Sequence, residues 1–234
     1  MFQQQLTRED PSLAIIVPVL NEMQGINALL DHLRFWQRRG AEVIVVDGGS
    51  NDNSEAVIRS RGFTVIRSAQ GRALQMNAGA NASTAPYLLF LHADTRLPEH
   101  ADARIFAHLR TSLLAWGRFD VRIEGRSRLL PLIGTLMNIR SRLTGIATGD
   151  QALFLTRALF NKVGGFPEQP LMEDVEFSKR LKHIVPPVCL RDQVVTSGRR
   201  WDERGSWRTI LLMWQLRWAY WRGVPADQLA ARYQ

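Results

Sequence analysis

The first 110 residues alternate between short apolar runs and longer segments in which apolar side chains recur every three or four positions. Short runs rich in β-branched residues predict buried strands, and the longer segments predict amphipathic helices. The predicted strands lie within 13–22, 43–47, 63–69 and 86–94, and helices are predicted at 25–39 and 71–83. This alternation is typical of βα units. It predicts an α/β fold with a mainly parallel sheet flanked by helices and with ligands at the carboxyl ends of its strands.

The pattern changes after residue 110. In "RFDVRIEG", Phe119, Val121 and Ile123 alternate with charged residues, which predicts an antiparallel strand with one solvated face. Helices are predicted at 128–143 and in "LMEDVEFSKRLKH", with a further strand and helix in "TGDQALFLTRALFNKVGGFPE" between them. Because no repeat or linker interrupts this part, we expect it to extend the first sheet as a smaller antiparallel part of a single domain.

A C-terminal helical tail is predicted from the spacing of its tryptophans. Five of the seven lie between Trp201 and Trp221, and Trp207, Trp214 and Trp218 recur with Trp221 on one helical face. The face could pack against the domain, form a homo-oligomer contact, or rest on anionic lipid as a peripheral membrane helix. Packing is the commonest fate of such a stripe and is our first expectation, with membrane contact second.

The composition indicates a basic protein of a reducing compartment. The formal net charge is +8, and 27 of the 30 basic residues are arginine. Because a guanidinium pairs well with phosphate, this excess favours anionic partners, although a codon bias towards arginine is the alternative. Cys189 is the only cysteine, so no intrachain disulfide forms. Since neither a leader nor a membrane-length apolar run is evident, we expect a cytoplasmic protein, soluble or peripheral on the inner membrane face.

Polar residues gather where the predicted strands end. Glu22 and Asp47 follow the first two strands, and His92 and Asp94 follow the fourth. Side chains two positions apart on an extended segment point the same way, so His92 and Asp94 can face one ligand. The dinucleotide fingerprint GxGxxG is absent after the first strand, where "PVLNEMQG" has one glycine; this disfavours nicotinamide and flavin enzymes.

Six ordered motifs resemble the family 2 glycosyltransferases, which are inverting enzymes with the GT-A fold. They are "IIVPVLNE", "VVDGGSNDNS", "GRALQMNAGA", "LHADTRLP", "GGFPEQPLMEDVEFSKRLK" and "SGRRW". The segments "LHADT" and "TGDQALF" also resemble those of the subgroup called radical-SAM/selenodomain-associated transferase 2. The resemblance implies a nucleotide-binding half at about 11–110, an acceptor-binding half at about 111–200 and the Trp/Arg-rich tail at about 201–234.

The resemblance implies a donor site at the strand ends. Pro18 and Glu22 would form the nucleotide pocket, Asp47 would accept a hydrogen bond from the base or ribose, and Arg72 and Asn77 would face the nucleotide. For Asp47 the alternative is a turn residue that bonds the Gly-Gly backbone after it. For Arg72 the alternative is a solvated surface arginine.

The segment His92, Ala93 and Asp94 stands where the family carries its DxD metal motif. Asp94 keeps the second carboxylate, and the resemblance implies that it binds a divalent cation, Mn²⁺ or Mg²⁺. His92 replaces the first carboxylate. It could be a ligand, which Mn²⁺ accepts more readily than Mg²⁺, a ribose contact, or a packed and hydrogen-bonded imidazole.

The resemblance also places the catalytic groups. Asp174 would be the general base, with Glu173 beside it, and Arg200 would stabilise the departing diphosphate. Trp201 would stack on the acceptor sugar. In "SGRRW", Ser occupies the position of the Gln of QxxRW in processive members, so single transfer is expected. Asp150 bonds an acceptor hydroxyl or caps a turn, and the sequence favours neither.

The expected reaction moves a sugar from a nucleotide-diphospho-sugar, most simply a UDP-sugar, to a hydroxyl acceptor that can be lipid-linked; no nucleic acid is expected as a partner. A nucleotidyltransferase is the first alternative, but it predicts a basic, glycine-rich loop that "PVLNEMQG" lacks. A non-catalytic basic protein that binds nucleotides or membranes is the second, but it leaves the carboxylates at the strand ends unexplained.

Overall fold

The computed structural model describes residues 12–233, without the side chains at 200, 203, 204, 206 and 233. In its first half, strands and helices alternate as the apolar pattern predicts. The elements are β1 (Leu13–Val19), α1 (Ile26–Arg38), β2 (Glu42–Asp47), α2 (Ser54–Ser60), β3 (Thr64–Arg67), α3 (Arg72–Asn81) and β4 (Tyr87–Phe90). The strands pair in parallel in the order β3-β2-β1-β4, so their carboxyl ends share one edge.

The second half continues the same sheet to eight strands. Its elements are β5 (Thr95–Arg96), α4 (Ala101–Leu109), β6 (Trp116–Glu124), α5 (Leu130–Thr144), a 3-10 turn (Gly149–Gln151), β7 (Leu153–Thr156), α6 (Arg157–Val163), α7 (Glu173–Ile184), β8 (Val188–Ser197), α8 (Arg199–Arg204), α9 (Ser206–Trp221) and α10 (Ala226–Tyr233). The order is β3-β2-β1-β4-β7-β6-β8-β5. Strand β7 runs antiparallel to β4 and β6, and β5 runs antiparallel to β8, which is the antiparallel part that the sequence predicts.

Strand β6 differs from the prediction of an antiparallel strand with one solvated face. Only Trp116 and Gly117 pair antiparallel, with β7, and the rest of the strand runs parallel to β8. The face predicted to be solvated is closed in its middle, because Arg118 is fully buried and Asp120 is buried. Arg118 donates to Asp120 and to a carbonyl of α5, and Arg142 of α5 donates to the same carboxylate.

Two apolar cores enclose the sheet, one on each face. Alternate residues of β1 enter opposite cores: Ile15 and Val17 pack with α1 and α4, and Ile16 packs with α3, α6 and α7. Since both faces of the central strands are covered, the polar residues have room only at the strand ends.

The tryptophan stripe of α9 lies on the surface, so our first expectation, packing against the domain, was wrong for it. Trp207, Trp214, Trp218 and Trp221 are 62–81% exposed. The opposite face of α9 is covered, through Leu216 and its neighbours, by the loop before α7 and by α10. Within residues 12–233, no helix is both long and apolar enough to cross a membrane.

Candidate functional site

Two adjoining clefts open where β1 and β4 end. The larger has a volume of about 560 Å³, a size typical of small-molecule sites, and the smaller has about 80 Å³. Both are lined by Arg72, His92 and Leu171. The predicted donor residues that line the larger cleft are Pro18, Glu22, Arg72, His92, Ala93 and Asp94. The predicted residues Asp150, Glu173 and Asp174 line the smaller one. The fold therefore brings the two predicted groups side by side.

Asp47 lies at the carboxyl end of β2 and is 1% exposed. Its Oδ2 accepts hydrogen bonds of 2.9 Å from the backbone N–H groups of Gly49 and Ser50, which is the turn role that we considered. Its Oδ1 is buried and has no hydrogen-bond partner among the described residues. One oxygen therefore holds the turn. Asp47 is not among the residues lining either cleft, so the turn role is the one that these contacts favour.

Glu22 and Arg199 face each other at the larger cleft, which both residues line. An Arg199 nitrogen lies 3.7 Å from Glu22 Oε2. Burial raises the pKa of Glu22, against the lowering effect of Arg199 and with a further raising effect of Asp94. The sequence analysis missed Arg199 because the resemblance pointed to Arg200, whose side chain lies outside the described residues.

Two amide side chains of α3 differ from expectation. The Asn77 amide is engaged by the backbone of Phe166, donating to its carbonyl (2.9 Å) and accepting from its N–H (2.8 Å). It is not among the residues lining either cleft, so the predicted nucleotide contact is corrected to a structural clamp. Gln75, which we did not predict, lines the larger cleft and donates from Nε2 to the carbonyls of Val19 and Val46. It ties the ends of β1 and β2 together.

Arg72, the first residue of α3, lines both clefts and carries a positive charge between them. Its Nη1 lies 3.8 Å from Glu173 Oε1, and its side chain is 46% exposed. The amino terminus of a helix adds to the positive potential of the guanidinium. Arg72 is therefore placed to meet an anion in the larger cleft while it remains near the carboxylates of the smaller one.

His92 is hydrogen-bonded through one ring nitrogen and closely packed at the other. Nδ1 is 3.2 Å from Asp150 Oδ1, and Nε2 packs so closely on Gly149 that a Cβ there would lie 2.1 Å from it. Burial is the largest influence on the pKa of His92 and lowers it, but the bond to Asp150 and the charges of Asp150 and Asp94 together outweigh burial, and the pKa is raised. Among our alternatives for His92, these contacts favour the packed and hydrogen-bonded imidazole over a metal ligand.

Asp94 is exposed at the rim of the larger cleft. Its carboxylate accepts only long hydrogen bonds, from the Thr95 hydroxyl at 3.3 Å and the Thr196 hydroxyl at 3.5 Å. Among the described side chains, no three His, Cys, Asp or Glu residues converge to hold a metal ion. An ion that keeps several waters and binds through one carboxylate and substrate phosphates fits this donor set, and Mg²⁺ behaves in this way.

Glu173 and Asp174 begin α7 and differ in environment. Asp174 accepts from the backbone N–H groups of Gly149 (Oδ2, 2.8 Å) and Val175 (Oδ1, 2.7 Å). Glu173 is 3% exposed, and burial together with the charge of Asp174 raises its pKa to about 7, against the opposing effect of Arg72. A carboxyl with a pKa near 7 can take or give a proton at neutral pH.

On the acceptor side, Asp150 lies at the smaller cleft as predicted, and Trp201 does not. Asp150 lines the smaller cleft beside Met213 and Arg217 of α9, two residues that the sequence analysis missed. Burial raises the pKa of Asp150, but the bond to His92 and the positive charges of His92, Arg72 and Arg217 together lower it to about 2. Trp201 is partly buried against the core on one face of the sheet and is not among the residues lining either cleft, so it is not placed to stack on a sugar.

The family model described as Glycosyl transferase family 2 matches residues 14–161. No curated protein sequence matches the chain significantly.

Two solved structures illustrate the likeness in fold. The chain is similar to mannosyltransferase PcManGT from Pyrobaculum calidifontis in complex with GDP-Man and Mn²⁺, with 20% identity, a TM-score of 0.62, and coverage of 80% of this chain and 57% of that one. It is also similar to S. aureus TarS 1–349 in complex with UDP-GlcNAc, with 18% identity, a TM-score of 0.61, and coverage of 80% and 58%. The chain thus covers less than two thirds of the length of either structure.

Proposed function

This chain belongs to glycosyl transferase family 2, and we propose that it transfers a single sugar, with inversion, from a nucleotide-diphospho-sugar to a hydroxyl acceptor. The observation that carries the proposal is the pair of adjoining clefts. The larger presents Asp94 with arginines on the donor side, and the smaller presents three carboxylates, Asp150, Glu173 and Asp174, on the acceptor side. A non-catalytic protein that binds nucleotides or membranes does not need this division.

The donor occupies the larger cleft in this proposal. Pro18 and Glu22, which line it, form the nucleotide pocket. Arg72 and Arg199, which both line the cleft, pair with the diphosphate. PcManGT is solved with GDP-Man and TarS with UDP-GlcNAc, so the family relation supports this donor class. We propose a UDP-sugar as the donor.

Asp94 would hold a divalent cation, since its carboxylate is exposed at the rim of the larger cleft. The ion, when bound, supplies positive charge that stabilises the diphosphate leaving group. Arg72 and Arg199 add fixed positive charge on the same side of the cleft. His92 positions Asp150 rather than the ion.

Asp174 acts as the general base, with Glu173 adjusting its surroundings. Two backbone N–H groups orient the Asp174 carboxylate at the smaller cleft, which it lines. Buried Glu173, with its raised pKa, is the alternative base. Asp150 would accept a hydrogen bond from the acceptor. Ser197 lines the larger cleft where processive members carry Gln, in keeping with single transfer.

Nucleotide binding is tested first, by thermal denaturation with UDP, GDP, CDP or dTDP in the presence and absence of Mn²⁺. A specific nucleotide should raise the midpoint by mass action. Asp94→Ala should remove the part of the rise that depends on Mn²⁺. A chain that responds to no nucleoside diphosphate contradicts the proposal.

The base is tested by hydrolysis or transfer of the responding donor. Asp174→Asn should lower turnover by about 10²- to 10⁴-fold, the usual contribution of acid-base catalysis, with nucleotide binding retained. Asp192→Asn is the matched control. Asp192 lies on β8, pairs with Arg104 of α4, and lines neither cleft. If Glu173→Gln abolishes turnover and Asp174→Asn does not, Glu173 is the base.

A further inference from the structure

Helices α5 and α9 each carry an exposed apolar stripe. The stripe of α5 consists of Leu132, Leu136, Ile139 and Leu143, which are 49–82% exposed. The stripe of α9 consists of Trp207, Leu211, Trp214, Trp218 and Trp221, which are 60–81% exposed. We call these nine residues the α5–α9 surface. Soluble monomers rarely expose so many large apolar side chains together, and such patches mark contact sites.

The two helices are neighbours. Ile210 of α9 and Met137 of α5 pack against the same apolar cluster. Burial, helped by the charge of Arg217 on α9, lowers the pKa of Arg140 on α5 to about 10. The start of α5 is also tied to α8, the short helix directly before α9. Asp202 of α8 accepts hydrogen bonds from the backbone N–H groups of Arg126 and Ser127, which precede α5. The stripes therefore belong to one region of the molecule, beside the smaller cleft that Met213 and Arg217 line.

The charges carried by α5 and α9 themselves have one sign. Neither α5 nor α9 contains an acidic residue. Arg208 and Arg222 are exposed on the same edge of α9, and the Arg222 guanidinium lies 5.2 Å from the centre of the Trp218 ring. A second copy of the chain on this surface would bring arginines against arginines. A bilayer with anionic headgroups offers the complementary charge.

Tryptophan and arginine together are suited to a membrane interface. Indole rings prefer the headgroup level, where one part of the ring is apolar and the N–H meets water, and arginines pair with lipid phosphates. Since no described helix can cross a membrane, contact would be from the surface. We propose that the α5–α9 surface docks on a bilayer that contains anionic lipid, with Trp214 and Trp218 in the headgroup layer and Arg208 and Arg222 on the phosphates.

The test is vesicle binding by the full chain, which needs no catalysis. The protein should sediment with vesicles of phosphatidylcholine and phosphatidylglycerol, sediment less with phosphatidylcholine alone, and show a blue shift of tryptophan emission on binding. Binding to the anionic vesicles should weaken as salt rises. The double substitution Trp214→Gln and Trp218→Gln should lower partitioning by about tenfold or more, because it removes two large interfacial side chains.

A matched pair of leucines controls for general hydrophobicity. Leu211→Gln lies within the surface, and Leu113→Gln changes an exposed leucine outside it; Leu113 is 83% exposed and Leu211 60%. Only the first should weaken binding. Circular dichroism and thermal midpoints establish that the variants fold. Lack of binding to either vesicle at low salt overturns the proposal, and so does an equal loss in the two leucine variants. A dimer that Trp214→Gln and Trp218→Gln dissociate would also overturn it, by assigning the surface to a second copy.

Discussion

The two halves of the sheet place charge in opposite ways. In the first half, no charged residue lies in the interior of β1, β2 or β4, and the carboxylates Glu22, Asp47 and Asp94 stand at or after strand ends. In the second half, β6 carries Arg118 and Asp120 in its middle, both buried. In the first half the charged side chains at the cleft are therefore free to contact a ligand, and in the second half they form buried contacts within the fold.

The difference depends on what covers the strand. Helix α5 lies over β6 and supplies partners to its charges: Arg142 donates to Asp120, and the Asn138 carbonyl accepts from Arg118. The central parallel strands have no charge in their interiors and are covered by apolar side chains of the flanking helices. A charge within a strand is thus compatible with burial only where the neighbouring helix has polar groups in register.

Removing Asp120 should produce the largest effect on this comparison. Asp120→Ala leaves the Arg118 guanidinium buried beside β6 without its acidic partner, and an uncompensated buried charge costs about 3–5 kcal/mol of unfolding free energy. Chemical denaturation measures the loss.

The matched control for that variant is Asp31→Ala in the first half. Asp31 pairs with Arg61 at the surface, where its side chain is 71% exposed, and exposed pairs contribute about 0–1 kcal/mol. Equal losses in the two variants would mean that the charges in β6 are not structural.

The sequence predicted the first half well, since its apolar runs have one interpretation. A run such as "LAIIVPV" must be buried on both faces, so its strand, its parallel partners and the polar residues after it follow from periodicity. The positions of Glu22, His92 and Asp94 at one cleft edge were predicted for this reason. The contacts that now distinguish their roles were not, because residues distant in sequence, such as Asp150 and Arg199, supply them.

The second half was predicted less well because its patterns have two interpretations. Alternation of Phe119, Val121 and Ile123 with charged residues is typical of a solvated face, and only α5 makes Arg118 a buried group. The tryptophan spacing on α9 equally fits a buried or an exposed stripe. Its outward direction follows from the loop before α7 and from α10, which occupy the other face.

A pH titration should sharpen the comparison through His32. In the first half this buried imidazole is kept neutral: its Nε2 accepts from Trp36 Nε1 (3.1 Å) and from the Leu97 N–H (3.0 Å). Burial, helped by the charge of Arg96, lowers its pKa from 6.5 to about 4. The unfolded chain therefore binds a proton before the folded one does, so stability is full above pH 6.5 and falls as the pH drops to about 4. At 1.4 kcal/mol per unit, the loss is about 3 kcal/mol.

Denaturation midpoints across this pH range measure the fall. His32→Gln removes the titrating ring, so the variant should lose markedly less stability over the same range, whatever its stability at neutral pH. Parallel curves for the two proteins would show that His32 is not the group responsible.

The smallest effect concerns how closely helices approach the sheet in the two halves. Gly79 of α3 lies so near β1 and β2 that a Cβ there would be 2.4 Å from Ile16 Cγ2 and 2.9 Å from Val46 Cγ2. Gly134 of α5 leaves 3.2 Å to the nearest atom, the carbonyl oxygen of Val121. Replacing glycine by alanine improves helix propensity by about 1 kcal/mol at either position. The difference in stability between the two variants therefore reports how well each site accommodates the added methyl group. Overpacking costs about 1–3 kcal/mol, and Gly79→Ala should be less stable than Gly134→Ala by about 1–2 kcal/mol in urea denaturation. The reverse order would mean that α3, not α5, has room to move away from the sheet, and that the apolar half is the more tolerant of the two.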